Sequence, residues 1–278
     1  MAPDDASRPP IDNMIFDIGM NVGEDTDFYL KKGFRVVAVE ANPAACRDGA
    51  EKHREAIEAG LLTILNCAIS CSREPVTFYL CRSNSAWSTT LPRLRDFWRD
   101  RGAVFEEIEV PAMLARDLVI EHGTPYYAKI DIEGSDILFL DAFASDAPKP
   151  RYLSLEVDFC RYGELLVRLR QLGYRRFALI GQRGVTNQRP PYPACEGRYI
   201  DYRFDIGSSG LFGRELPERW REDTTVRRRC RRVAQQYHLT GLFDRIGKLG
   251  LLPRRMESAR NTLLPLAGDW YDIHAALE

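Results

Sequence analysis

One stretch near the N-terminus, FDIGMNVGEDT at residues 16–26, constrains the whole chain most strongly. An apolar run ends at Asp17, a turn with Gly19, Asn21 and Gly23 follows, and a helix is expected to start near Glu24. Glycines at such a turn let a ligand approach the backbone closely. A second apolar run, 36–39, ends on Glu40. In α/β nucleoside-binding folds an acid in that place accepts hydrogen bonds from ribose hydroxyls. The chain is therefore expected to bind a nucleoside-bearing cofactor.

The 278 residues are enough for one large α/β domain, or a core of about 200 residues with an appendage. A net charge of −1 and 45% hydrophobic residues give no global drive toward nucleic acid or membrane. Seven cysteines form an odd set with no CxxC pair, which argues against a disulfide framework and against structural zinc. The closest approach to a metal spacing, Cys67 and Cys71, has no second pair or nearby histidine to complete it. A reducing cytoplasm fits best, and the first dozen residues contain no apolar targeting segment. No stretch is long and apolar enough to span a membrane.

Apolar runs alternate with helical patterns after a flexible lead-in at 1–12, as expected of a largely parallel sheet. Strands are expected at 14–18, 34–39, 61–65, 76–81, 105–110, 126–130, 151–157, 174–180 and, last, at 199–204, where aromatic and polar residues alternate. Helices are expected at 25–32, 43–59, 112–122 and 163–172. Between them, 83–90 is a polar loop around Trp87, followed by a charged amphipathic stretch to Arg101. The composition shifts beyond Gly207, so the expected division is a core at 13–207 and a helical extension at 208–278 packed on it.

Two constellations carry chemistry. The first turn departs from the dinucleotide G-x-G-x-x-G spacing, with Asn21 at its middle position. A diphosphate needs bare backbone N–H groups at a helix N-terminus. Asn21 and Asp17 instead offer side-chain partners for the amino-acid end of S-adenosylmethionine. The second constellation is YYAKIDIEGSD at 126–136, where a strand ends in Asp131 and Glu133 and Gly134 gives a tight exit. Ligands in open α/β sheets sit outside the carboxyl ends of strands, so these acids are expected to face one crevice with Asp17 and Glu40. Asp131 is a candidate for the cofactor's ammonium group or a substrate hydroxyl, and Lys129 for an internal ion pair.

FDIGMNVGEDT, VEANP and KIDIEGSD together resemble the motifs of FkbM-family S-adenosylmethionine-dependent methyltransferases, over about residues 13–160. The resemblance implies a Rossmann-like class I methyltransferase fold: seven mostly parallel strands, helices on both faces, and a reversed final hairpin. It implies O-methylation of a hydroxyl on a sugar, polyketide or related metabolite. It places Asp17, Gly19, Asn21, Gly23 and Thr26 around the methionine portion and Glu40 on the ribose. Ala41 and Asn42 then lie beside the adenosine, and Asn66 and Ala68 at the adenine edge. Met20 is bulkier than the residue usual in that turn, and SSGLFGRELP at 208–217 resembles a C-terminal motif of some relatives.

Methyl transfer from a sulfonium needs alignment and water exclusion, and a carboxylate to take the hydroxyl proton. Glu133 is the first candidate base and Asp131 the second. A magnesium-assisted alternative places the ion on Asp131, Glu156 and Asp158 to orient a diol. The acceptor is expected to be a small hydroxylated molecule, carbohydrate or acidic in character. A nicotinamide dehydrogenase would share the crevice but needs the diphosphate glycine spacing. The PPY at 190–192 is misplaced for a nucleic-acid methyltransferase. The basic run RRRCRR at 227–232, with Leu242, Phe243, Ile246, Leu249 and Leu252 at helical spacing, offers an alternative polyanion surface for RNA, a phosphorylated substrate or a membrane. Packing against the core is the simpler account of it. The four histidines have no ligand spacing, and Trp87 stands out among the tryptophans by its polar loop.

Overall fold

The computed structural model describes residues 11–143, 147–248 and 270–277. The first half of the chain forms β1 (Ile11–Ile18), α1 (Glu24–Lys31), β2 (Arg35–Glu40), α2 (Pro43–Lys52), α3 (Arg54–Glu58), β3 (Leu62–Asn66), β4 (Ala68–Ile69) and β5 (Val76–Cys81). It continues with α4 (Pro92–Arg99), β6 (Phe105–Val110), β7 (Ala112–Met113), α5 (Ala115–His122) and β8 (Pro125–Ile130). Then follow β9 (Tyr152–Glu156), α6 (Tyr162–Gln171), β10 (Arg176–Gly181), α7 (Asp223–Lys248) and β11 (Tyr271–Ala276).

Seven strands make one sheet in the order β10-β11-β9-β8-β1-β2-β3. All pair in parallel except β11, which runs antiparallel to both β10 and β9. The chain builds outward from β1 through β2 to β3 and then returns to the other side of β1 with β8. That reversal opens a crevice at the carboxyl ends of β1 and β8, where open α/β sheets take their ligands. The two faces are covered separately. One face buries Met14, Phe16, Ile18, Ala128 and Leu153 against side chains of α5, α6 and α7. The other buries Ile15, Val36 and Tyr127 against Phe28 of α1 and against Phe204 and Phe212.

The last strand is not where the sequence pattern puts it. Residues 199–204 form no strand; Tyr202 gives its hydroxyl to Asp27 at 2.8 Å and Phe204 packs edge-on to Phe28, so the alternating aromatics cover α1. The sheet is completed by β11, which lies within the segment expected to be only an extension. A division at 207 therefore cuts through the sheet. The helix expected at 43–59 is also broken, at His53, whose φ of −114° leaves the helical region and whose ring nitrogen reaches the Gly23 carbonyl at 3.3 Å. Of the lead-in at 1–12, residues 1–10 lie outside the described residues and 11–12 open β1.

The run RRRCRR sits on α7, with Val226, Cys230 and Val233 buried and Arg228, Arg231 and Arg232 exposed. Leu242, Phe243 and Ile246 fall on the α7 backbone, while Leu249 and Leu252 lie outside the described residues. All seven cysteines are free. No helix among the described residues is long and apolar enough to cross a membrane.

Residues after β10 are fastened to α1 by a fully buried ion pair, Lys32 Nζ to Glu215 Oε2 at 2.7 Å. The other Glu215 oxygen accepts the Cys195 and Glu196 amides at 2.8 and 3.0 Å. Removing one partner of such a pair strands the other charge in the interior. Lys32→Met is thus expected to destabilise the protein by about 3–5 kcal/mol, read as a lower urea midpoint. An unchanged midpoint would contradict a stabilising role for the pair.

Candidate active site

The turn after β1 is shaped by a contact that only glycine permits. A Cβ on Gly19 would lie 1.8 Å from the Asp131 carbonyl oxygen, and φ there is +86°. Gly19 donates its N–H to the Val39 carbonyl at 2.8 Å, and Asp131 donates to Ile18 at 2.8 Å. The ends of β1, β2 and β8 are thereby locked together around one cavity. It opens to solvent, and its empty space, the open mouth included, is about 910 Å³.

Glu40 is oriented by the backbone on both sides. Its two carboxylate oxygens accept the Asn21 amide at 2.8 Å and the Asn42 amide at 2.7 Å. Burial raises its pKa, while these two amides pull the other way. Each oxygen keeps further acceptor capacity for a pair of hydroxyls. Asn42 spends its own side chain on capping α2, accepting the Ala44 amide at 3.0 Å. Beyond Glu40 the wall becomes smaller and more apolar, with Val39, Ala41, Cys67, Ala68, Ile69 and Phe78. That surface suits a flat heterocycle.

Of the residues expected to touch a cofactor, Gly19, Asn21, Glu40, Ala41, Asn42, Ala68 and Asp131 line the cavity. Asp17, Gly23, Thr26 and Asn66 do not. Asp17 is wholly buried behind the turn, where it accepts the Thr26 hydroxyl at 2.6 Å and faces Lys129 Nζ at 3.5 Å. Gly23, at φ +81°, backs onto the His53 ring. Asn66 donates to the carbonyls of Glu40 and Ala41 at 2.9 and 3.2 Å, tying β3 to the chain leaving β2. Asp17, Gly23 and Thr26 build the turn from behind, and Asn66 braces the chain just beyond Glu40. Met20 also lines the cavity, and its methyl group rests over Gly49, 2.7 Å from where a Cβ there would stand.

Lys129 is the electrostatic centre of the crevice. Its buried ammonium donates to the Gly19 carbonyl at 2.8 Å and lies 3.5, 3.7 and 4.0 Å from Asp17, Asp131 and Asp25. Those three carboxylates hold its pKa well above the ordinary lysine value despite burial. Glu24 and Asp25 also line the cavity. Sequence reasoning passed over them, although an acidic pair directly after Gly23 was the available signal.

Past Ile130 the chain leaves strand geometry, and Glu133 adopts φ +51°. Its carbonyl accepts the Thr89 hydroxyl at 3.0 Å. Asp136 fastens the turn from below, accepting the Ile132 and Gly134 amides at 3.3 and 3.0 Å. Carboxylate oxygens of Asp131, Glu133 and Glu156 then fall within 4.8 Å of one another. Burial, followed by Asp131 and Asp136, pushes the Glu133 pKa well up, and burial with Glu133 and Asp131 does the same to Glu156. Asp158 is not in this group. It accepts from Arg93 at 3.3 Å and from the Cys160 amide at 2.9 Å, so of the alternative metal set only Asp131 and Glu156 come together, with Glu133 as the third carboxylate.

In the antiparallel β5–β6 pair the long connection between the strands covers the cavity, with Ser85, Ala86, Ser88, Thr89 and Thr90 in its wall beside Phe78 of β5. The Ser85 hydroxyl reaches Asn21 Oδ1 at 3.2 Å, and Thr90 meets Ser135 at 3.2 Å. Trp87 stacks on Trp98 with centroids 4.2 Å apart, so one of its faces packs on protein.

A family model described as Methyltransferase FkbM domain matches residues 17–176, which include the turn, Glu40 and the three carboxylates. No curated protein matches the chain. Among solved structures the chain is similar to a putative sarcosine dimethylglycine methyltransferase from Galdieria sulphuraria. Identity there is 8%, coverage 97% of this chain and 79% of that one, and the TM-score 0.40. It is similar too to a SAM-dependent methyltransferase from Thiobacillus denitrificans in complex with S-adenosyl-L-homocysteine, at 9% identity, 100% and 92% coverage and a TM-score of 0.35. A third is precorrin-6y C5,15-methyltransferase from Geobacter metallireducens GS-15, at 12% identity, 64% and 73% coverage and a TM-score of 0.37. The seven-stranded sheet with its single reversed strand is the Rossmann-like class I methyltransferase architecture that the motifs implied. With the family model spanning more than half of its length, the chain belongs to the FkbM methyltransferase domain family.

Proposed function

We propose that the protein is an S-adenosylmethionine-dependent O-methyltransferase acting on a hydroxyl of a sugar, polyketide or related small metabolite. The observation that carries this reading is one cavity with two chemically different ends. Glu40 and an apolar wall suit an adenosine, and a carboxylate group around Glu133 suits an acceptor hydroxyl. Bound S-adenosylmethionine supplies an already activated methyl group. The protein's own work is to align the acceptor, exclude water under the β5–β6 roof and receive the hydroxyl proton on Glu133. A cytoplasmic setting fits the free thiols. The direct test is transfer of labelled methyl groups to a panel of hydroxylated acceptors.

A second reading has its own support. Asp131, Glu133 and Glu156 are hard oxygen donors within reach of one cation, which would orient a diol rather than leave Glu133 free as a base. Activity that survives exhaustive chelation excludes it, and activity restored by magnesium alone supports it.

A further inference from the structure

Among the described residues, two that carry side chains are left-handed, Asn21 and Glu133, each at φ +51°. Asparagine tolerates this region, whereas a glutamate persists there only where its surroundings fix it. Asn21 belongs to the turn after β1 and gives its amide to Glu40. Glu133 belongs to the chain past β8, among the three carboxylates. One short segment reaches both. The Ser85 hydroxyl donates to Asn21 Oδ1 at 3.2 Å, and the Thr89 hydroxyl donates to the Glu133 carbonyl at 3.0 Å.

The two ends of this segment are held differently. Thr89 is 1% exposed, exchanges both backbone hydrogen bonds with Tyr79 of β5 at 2.8 and 3.1 Å, and accepts the Leu91 amide on its hydroxyl at 3.0 Å. Below it, a Cβ on Gly134 would stand 2.9 Å from Leu94 Cδ1, so the turn carrying Glu133 is packed tightly against α4. Ser85 is exposed, and the Trp87–Trp98 stack ties its turn to α4 from outside. We infer that Thr89 is a positioning residue for Glu133, and that the segment 83–90 carries the state of the cofactor turn to it. A ribose on Glu40 fixes the carboxylate that receives the Asn21 amide, and Asn21 then offers Ser85 a settled acceptor. Thr89, four residues further on, holds the Glu133 backbone in its left-handed form. The base is set firmly when the cavity is filled and covered, as closing loops complete other catalytic sites. Thr89 acts through the Glu133 carbonyl and not on the reacting atoms. The inference rests on the S-adenosylmethionine reading with Glu133 as base.

Hydrogen exchange read by mass spectrometry, with S-adenosylhomocysteine as the ligand, tests it. The quantity is the slowing on binding, the ratio of free to bound exchange rate, in 83–90 and in 132–136, where the amides of Ile132, Gly134 and Ser135 are hydrogen-bonded. Wild-type protein is expected to slow at least about fivefold in both segments. Thr89→Val is expected to bind the ligand within about twofold of wild type and to keep the slowing in 83–90, while that in 132–136 falls below about twofold. Thr89→Ser is expected to restore it. Ser85→Ala, which removes only an exposed hydroxyl, is expected to bring the slowing in 132–136 below about twofold as well. Wild-type slowing of 132–136 in either the valine or the alanine variant overturns the inference. So does an equal loss from both segments in Thr89→Val, the mark of general loosening. If Thr89→Val fails to fold, Ser85→Ala decides. Wild-type protein that binds the ligand without slowing 132–136 overturns the inference alone. Wild-type protein that does not bind it contradicts the methyltransferase reading beneath, and the inference falls with that reading.

Discussion

Glu133→Gln is expected to slow methyl transfer by about 100-fold or more while leaving S-adenosylhomocysteine affinity within about twofold. The reason lies in where the side chain sits. Glu133 lies past the end of β8, is itself left-handed at φ +51°, and has two other carboxylates beside it. Burial and its acidic neighbours raise its pKa well above the ordinary carboxylate value, which makes the ionised form a stronger base than a free glutamate. Only that form accepts a proton, so the wild-type rate should rise with pH through a limb placed above the usual carboxylate range. The glutamine variant should lack that limb. A turnover number and pH profile unchanged by the substitution would remove Glu133 as the base.

Lys129→Met is expected to have the larger effect on the folded state. The lysine is the counter-charge for Asp17, Asp25 and Asp131 at 3.5, 4.0 and 3.7 Å, and its hydrogen bond to the Gly19 carbonyl holds the turn against β8. Asp17 has no alternative, because its Oδ1 is buried without a hydrogen bond. Taking the lysine away leaves buried carboxylates facing one another. Loss of about 3–5 kcal/mol is expected, with the carboxylates taking up protons to relieve the repulsion. Urea unfolding of the variant should therefore improve at acidic pH. A variant as stable as the wild type at neutral pH would contradict the role of Lys129 as their buried counter-charge.

The legible parts of the fold were those buried on both faces or with special backbone. The runs at 14–18, 34–39 and 126–130 stand out as apolar blocks bounded by glycine or acids, as strands covered on both faces do. The turn was legible because Gly19 answers a steric demand from Asp131 that no other residue satisfies. β11 was not legible. Tyr271, Ile273 and Ala275 alternate with Asp272 and His274, which read as surface residues, whereas all six residues of the strand are buried, and the run is too short to stand out. Its neighbour in the pattern, 199–204, alternates correctly but turns its aromatic side to a helix instead of a strand partner. The acids at the site were recognisable as types but not as positions. Strand alternation ends at Ile130, so nothing in the spacing told Glu133 from Asp158 or placed Asp17 behind the wall.

The central claim is that the cavity between β1, β2 and β8 binds an adenosyl amino acid through Glu40. Calorimetric titration of wild-type protein and Glu40→Ala with S-adenosylhomocysteine tests it most directly. Saturable one-to-one binding by the wild type, weakened at least about tenfold in the variant, is the predicted result. No binding by correctly folded wild type, or equal binding by both proteins, would contradict it.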